Sequence, residues 1–367
     1  MKTLDQDFIV LVIAPADGRG GIASVVRLHS QTEAWRVMRA RLLSTYDDRS
    51  SWRKILSAAK AYVAAPLLIA RATIVHVHLA AQKSVLRKLP LILMAKSLGK
   101  PVIVHVHAFS MESLFDSTTL YAGRLTLRLA DHVIALSQVW ADAMTARDAS
   151  LSVSVIQNPV STFRRNSWTP DQTPVVLYAG KLEARKGYQD LLAAAVPILK
   201  AFPSTQFWFA GHGDIEVAKA MADTYGIRES VKFMGWLSPE EMSKAYESAT
   251  IFCLPSYNEG VPMVVLEAMA RGIPVVCTKV GGLPNYIEHG ENGLFADAGD
   301  SVSIAKTILF LLMDSSHAQT IGERGAKTIQ NTCSLEAVSK QLESLYWRLL
   351  HGKPAAEVPQ FIHPGHK

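Results

Sequence analysis

Short apolar runs recur along the whole chain as continuous stretches rather than alternations with polar residues. In the first half they are FIVLVIA (8–14), TIVHVHLA (73–80), PVIVHVH (101–107), HVIALS (132–137) and SVIQN (154–158). In the second half they are PVVLYAG (174–180), TQFWFAG (205–211), VKFMG (231–235), ATIFCLP (249–255) and PVVCT (274–278). A strand apolar on both faces belongs in a parallel sheet covered on both sides. Helical patterns such as YQDLLAAAVPILKAF (188–202) separate the runs. Alternating β and α elements predict parallel sheets with helices on each face, an α/β fold. So many strands exceed one ordinary domain, and 367 residues suit two.

The polar stretch STFRRNSWTPDQTP (161–174), with two prolines, marks the best boundary. Residues 1–165 and 166–335 are expected to form two doubly wound domains with a cleft between them. Ligands of such sheets bind at the carboxyl ends of strands. The polar, Pro-rich tail 352–367 predicts a loose end.

Apolar residues make up 49% of the chain and charged residues 19%, which excludes a disordered chain. Cys253, Cys277 and Cys333 are widely spaced and match no zinc-ligand pattern. They predict free, buried thiols in a reducing, cytoplasmic setting. The run Phe8 to Pro15 reads as a buried first strand rather than a signal peptide. No stretch reaches the roughly 18 uninterrupted apolar residues of a membrane span. The nearest, AYVAAPLLIARATIVHVHLAA (61–81), is cut by Pro66 and Arg71. The net charge of +6 conceals an asymmetry. Residues 1–165 carry 21 Lys and Arg against 11 Asp and Glu, and the remainder carries 17 against 21. An anionic surface or acidic partner is therefore expected to meet the first half.

The stretch NEGVPMVVLEAMARGIPVV (258–276) places two glutamates eight positions apart. IFCLP is a strand, SYNEG the turn at its carboxyl end, and Pro262 suits the first turn of a helix. The helix is expected to run to about Arg271, with Gly272 as its cap. Glu259 then lies in the loop and Glu267 in the second helical turn. Backbone N–H groups after Glu259, at Gly260 and Val261, are free to hold an anion such as a diphosphate. Carboxylates accept hydrogen bonds from hydroxyls. Phosphate and hydroxyls together describe a nucleotide sugar. Spacing alone leaves open a plainer alternative, in which Glu259 stabilises the helix dipole and Glu267 is neutralised by a salt bridge.

This stretch resembles the E-x7-E motif of retaining glycosyltransferases of family 4. Over residues 8–350 further segments fall in that family's order: PADGRGGIASV (15–25), VIVHVHAFS (102–110), ADHVIALSQ (130–138), IQNPV (156–160), YAGKLEARKG (178–187), FAGHGD (209–214) and GGLPNYIEHGENGLF (281–295). The resemblance implies the GT-B fold, two Rossmann-like domains facing each other across a cleft. It also implies that LEAVSKQLESLYWRLL (335–350) packs back on the first domain, giving a helix at 336–351. The implied activity is transfer of a hexose, with retention, from a nucleotide-diphosphate sugar to a saccharide or polyprenyl-diphosphate-linked acceptor in cell-surface polysaccharide synthesis. No cofactor, metal or nucleic acid is expected.

The resemblance assigns catalytic roles to His107, Glu259 and Lys186. Glu259 would face the donor sugar and diphosphate, and His107 a hydroxyl of the transferred sugar. Gly20, Gly21, Lys181, Lys186, Gly260, Val261 and Glu267 would bind the donor, with Glu267 on the ribose. His78 would line the acceptor side. At position 181 the family usually has arginine. Lysine keeps the charge but loses the bidentate fork. The implied mechanism is front-face attack assisted by the departing phosphate, so the task is electrostatic.

Three alternatives stand beside this. GRGGIA (18–23) fits a dinucleotide fingerprint, with Arg39 and Arg41 near for a 2′-phosphate, as in an NADP-dependent oxidoreductase. A nucleotide-sugar epimerase would share the fold. A non-catalytic glycan binder would keep the domains alone. Finally, SVLRKLPLILMAKSLGK (84–100) sets Arg87, Lys88, Lys96 and Lys100 around Leu89, Leu91, Ile92, Leu93 and Met94. At helical spacing it is expected to lie in the inner face of the cell membrane as a peripheral anchor. The alternative is a core helix with a solvated cationic edge.

Overall fold

The computed structural model describes residues 8–15, 21–47, 51–80, 82–107, 120–161 and 172–352. The chain divides into two units, Met1–Pro159 with Leu335–Lys367, and Val160–Ser334. The division falls at Pro159, whereas the boundary expected at 165/166 lies outside the described residues. The C-terminal helix, Leu335–His351, belongs to the first unit.

The first unit holds β1 (Val10–Ala14), β2 (Arg41–Ser44), β3 (Ile74–Leu79), β4 (Val102–Val106), β5 (His132–Ala135) and β6 (Val153–Val155). They pair in the order β2-β1-β3-β4-β5-β6, and every pair is parallel. Between them run α1 (Gly21–Ser30), α2 (Glu33–Val37), α3 (Ser51–Arg71), α4 (Gln82–Ser97), α5 (Leu120–Leu129) and α6 (Gln138–Arg147). Side chains alternate across the sheet. Val75, Val77 and Leu79 pack with Ala65 and Ile69 of α3, Leu91 and Ile92 of α4, and Trp140 of α6. On the other face Val10, Val12 and Ile74 meet Val26 of α1 and Val338, Leu342 and Leu345 of the C-terminal helix.

The second unit holds β7 (Val175–Ala179), β8 (Gln206–Ala210), β9 (Val231–Gly235), β10 (Ile251–Leu254), β11 (Val275–Thr278) and β12 (Leu294–Ala296). Their order is β12-β11-β10-β7-β8-β9, again parallel throughout. Its helices are α7 (Tyr188–Ala201), α8 (Ile215–Thr224), α9 (Pro239–Ser248), α10 (Met263–Ala270), α11 (Ser301–Met313) and α12 (Ser315–Cys333). Both orders are doubly wound. The winding reverses between β1 and β3 in one unit and between β7 and β10 in the other. Crevices that take ligands open at such reversals, outside the carboxyl ends of the strands.

The ten apolar runs all became strands. β2 and β12 were not anticipated, because each is a short edge strand of three or four residues. β6 sits at Val153–Val155 rather than 154–158. The three cysteines are free and buried.

The expectation for 84–100 is corrected. Val85, Leu91, Ile92 and Ala95 of α4 are buried in the core. Lys88 is only 1% exposed, and its ammonium donates to the carbonyl oxygen of His78. Burial lowers its pKa to about 7, with the nearby Arg87 charge adding to the effect. Lys96 is paired with Asp131 at 2.8 Å. A helix with its apolar face in the core and its lysine inside cannot lay those groups on headgroups. No helix among the described residues is long and apolar enough to cross a membrane.

Leu345 is 2% exposed in the core that the C-terminal helix completes. Leu345→Ala should therefore cost about 2–5 kcal/mol, as for other buried leucines. Denaturant unfolding reads this directly. An unchanged midpoint would mean that the helix does not contribute to the first unit's stability.

Candidate active site

The reversal between β7 and β10 gathers most of the charged residues singled out in the second half. The loop after β7 turns through the short helix Ala184–Lys186. The loop after β10 carries Ser256 to Pro262. Gly187 sits between them with φ 68°, and a Cβ there would stand 2.0 Å from the Pro255 carbonyl oxygen. Only glycine lets the two loops approach this closely. Tyr257 N–H donates to the Arg185 carbonyl at 2.9 Å, fixing their register.

Across this contact Lys186 forms an ion pair with Glu259 Oε1. Ser256 Oγ donates to the same oxygen at 2.9 Å. Arg185 Nη1 lies 3.8 Å from Glu259 Oε2 and donates to the Asn258 carbonyl at 2.6 Å. Its Nη2 donates to Glu183 Oε1 at 2.7 Å, and Lys181 takes Glu183 Oε2 at 2.9 Å. Burial pushes the Glu183 carboxyl up, but the hydrogen bonds from Lys181 and Arg185 prevail and hold it below its usual range. Lys181, Lys186 and Glu259 are thus joined through Arg185 and Glu183, neither of which was singled out from the sequence. Their charge in KLEARKG was visible, but which side each takes depends on the turn.

The helix α10 begins one residue after Pro262, which is its N-cap. Gly260 and Val261 are buried, and their N–H groups have no acceptor among the described residues. Gly281, with φ 56°, abuts the Glu259 carbonyl so closely that a Cβ would lie 2.0 Å from it. Gly282 N–H then donates to the Gly260 carbonyl at 2.7 Å. The GGLP segment thereby braces the loop that carries Glu259. Glu267 lies elsewhere on the helix. Tyr246 Oη lies 3.0 Å from Glu267 Oε2, and Arg271 Nη1 donates to the Glu267 carbonyl at 3.0 Å. Burial raises its pKa, opposed by the Tyr246 hydrogen bond and the Arg271 charge. Among the described residues no contact joins Glu267 to the Lys186–Glu259 pair.

In the first unit, His76 and His78 point to one face of β3, and His105 and His107 to the same face from β4. The rings form a column. His76 and His78 stack at 4.6 Å, and His105 and His107 lie 4.3 Å apart. His78 Nδ1 is 2.9 Å from His107 Nε2. His76 Nδ1 meets the Tyr346 hydroxyl at 2.5 Å. Of the two candidates, His78 is buried and His107, at the strand end, is half-buried. His105 and His76 were not singled out. Alternation in two neighbouring HVH runs was the available signal. His76, His78 and His105 offer ring nitrogens within 4.8 Å of one another, so they could hold a metal ion. Their rings lie nearly parallel, however, at 15° for His76–His78 and His76–His105. That favours ring contact over convergence on one ion. Gly21 opens α1, and Gly20 with the rest of the GRGG turn up to it lies outside the described residues.

Residues 4–164 match the family described as Glycosyltransferase Family 4, and residues 160–328 match Glycosyl transferases group 1. Both halves of the chain thus match glycosyltransferase families. Among its relatives is the D-inositol 3-phosphate glycosyltransferase of Corynebacterium jeikeium, 34% identical over 51% of this chain and 46% of the relative. Another is the lipopolysaccharide core biosynthesis glycosyltransferase LpsE of Rhizobium meliloti, 31% identical over 51% of this chain and 52% of the relative. The chain thus spans about half the length of these curated relatives. The structure of Anabaena HepE in complex with UDP-glucose superposes with a TM-score of 0.74 at 19% identity, covering 92% of this chain and 98% of that one. At that identity the likeness is one of fold, and the fold is GT-B.

Burial holds the histidine column neutral near pH 7. It lowers His29 to about 4 and His76 to about 3, with the His29 charge adding to the latter. His78 and His105 are pushed well below their ordinary value by burial and by the neighbouring imidazoles. The unfolded chain takes up protons below about 6.5 that the folded chain refuses, so stability is full above that pH and falls as pH drops toward the folded values. His76 alone should cost about 2 kcal/mol by pH 5. Thermal unfolding at pH 7.5 and 5 measures this, and His105→Asn should reduce the slope. A flat profile would show that the folded column accepts protons freely.

Proposed function

We propose that the protein transfers a hexose, with retention of anomeric configuration, from a nucleotide-diphosphate sugar to a saccharide or lipid-linked saccharide acceptor in cell-surface polysaccharide synthesis. The Lys186–Glu259 pair at the second unit's winding reversal carries this reading. A half-buried ammonium there, beside two backbone N–H groups at a helix start that have no acceptor among the described residues, suits a diphosphate. In the free chain Glu259 neutralises Lys186. A bound diphosphate takes over the ammonium and leaves the Glu259 carboxylate to accept hydrogen bonds from the donor sugar. As the bond to the anomeric carbon breaks, charge grows on the leaving diphosphate. Lys186, Lys181 and the Gly260–Val261 amides stabilise that charge, and their fixed positions avoid reorganisation. Glu267 accepts from the ribose hydroxyls in ground and transition states alike. In the first unit His107 contacts a hydroxyl of the transferred sugar, and His78 fixes its ring and tautomer.

Support for the donor class comes from HepE, a fold relative whose structure holds UDP-glucose. Support for a glycan or lipid-linked acceptor comes from LpsE, named for lipopolysaccharide core biosynthesis. The base and sugar are set by a panel of UDP-, GDP- and ADP-sugars, read by thermal shift and donor hydrolysis. With the donor so found, Lys186→Ala should lower kcat by about 10²–10³-fold. Glu267→Ala should mainly raise the donor KM. Removing Lys186 also strands a buried carboxylate, so the unfolding midpoint of each variant is read alongside. A folded Lys186→Ala protein with near-normal turnover would sink the assignment.

A further inference from the structure

The helix α3 is apolar on two opposite sides. One side, with Ala61, Ala65 and Ile69, is buried in the first unit's core. The other carries Trp52, Ile55, Leu56, Val63 and Leu67, which are 80%, 64%, 52%, 83% and 57% exposed. At the helical period these five fall within about 60° of Trp52. An outer apolar stripe this long on a water-facing helix needs a covering. Arg53, Lys60 and Arg71 recur along one flank of the stripe, roughly 100° round from Trp52.

The neighbours extend the same surface. α3, α4 and α5 all lie on one face of the sheet. α4 exposes Leu86 and Leu93, and α5 exposes Tyr121 and Leu125. Together the three helices contain ten lysines and arginines and no aspartate or glutamate. Lys60, Arg71, Lys83 and Arg124 are exposed and have no carboxylate partner among the described residues. Arg53, Lys96 and Arg128 pair with Asp47, Asp131 and Asp148 beyond the helices, which leaves Lys60, Arg71, Lys83 and Arg124 as the rim. Exposed aromatic and aliphatic tips rimmed by such cations complement an apolar layer under negative headgroups.

We propose that the outer face of α3, flanked by α4 and α5, docks this protein on an anionic lipid bilayer. Trp52, Val63 and Leu67 enter the headgroup boundary, while Lys60 and Arg71 hold the phosphates. The anchor is therefore α3 rather than the 84–100 segment, whose lysine is internal. Vesicle binding is read without turnover, so it stands or falls separately from the glycosyl transfer.

The full chain is sedimented with vesicles of phosphatidylcholine alone and of phosphatidylcholine with about one third phosphatidylglycerol. Binding should require the anionic lipid and weaken as salt rises. Val63→Asp and the pair Lys60→Gln with Arg71→Gln alter exposed residues, so their unfolding midpoints should match the parent. Each should raise the lipid concentration for half-binding by about tenfold or more. A protein that stays in the supernatant with anionic vesicles at low salt would overturn the proposal. So would equal binding to neutral vesicles, or unchanged binding by Val63→Asp. A dimer in solution that Val63→Asp disperses, without vesicle binding, would assign the face to a second copy instead.

Discussion

Parallel strand pairing governs this protein. Parallel neighbours cannot be joined by a tight turn, so every connection crosses over through a helix or long loop. Such crossovers keep one hand, and the sheet becomes covered on both faces. All loops after the strands then emerge at one edge of each sheet. Where the winding reverses in the second unit, the loops after two neighbouring strands meet. The pairing of β7 with β10 brings KLEARKG beside SYNEG, though 73 positions separate Lys186 from Glu259.

Burying the Glu259 carboxylate where these loops meet is costly unless it finds partners. Lys186, Glu259, Arg185, Glu183 and Lys181 solve this as a chain of alternating signs. The pairs hold the two loops together. The first unit solves a different problem by another route. Its histidines stay uncharged because the sheet face is dry, and they satisfy part of their hydrogen bonding with each other and with Tyr346. Among the described residues, His76 Nε2 and both nitrogens of His105 have no partner, a cost the surrounding packing must offset.

The helical layer over the first sheet separates two uses of apolar surface. α4 spends its apolar side on the core and draws Lys88 inward to satisfy the His78 carbonyl. α3 has enough alanine on its inner side to pack closely, which leaves its bulky residues outside. The same composition of leucine and lysine therefore means core in one helix and free surface in the next.

The continuous apolar runs and their helical spacers determined the fold class, because only a doubly covered parallel sheet hides such strands. The turn chemistry around Glu259 likewise placed that residue in the loop after a strand and Glu267 in the helix that follows, because Pro262 suits a helix's first turn. The edge strands β2 and β12 escaped, being too short for a periodic signal. Three things belonged to the tertiary structure. Strand order chose which loops meet, and so made partners of Lys186 and Glu259 and drew in Arg185 and Glu183. Register between β3 and β4 turned four separate histidines into one column. The depth at which each helix sits decided that Lys88 is inside and Val63 outside, because helical spacing names a face but not what covers it.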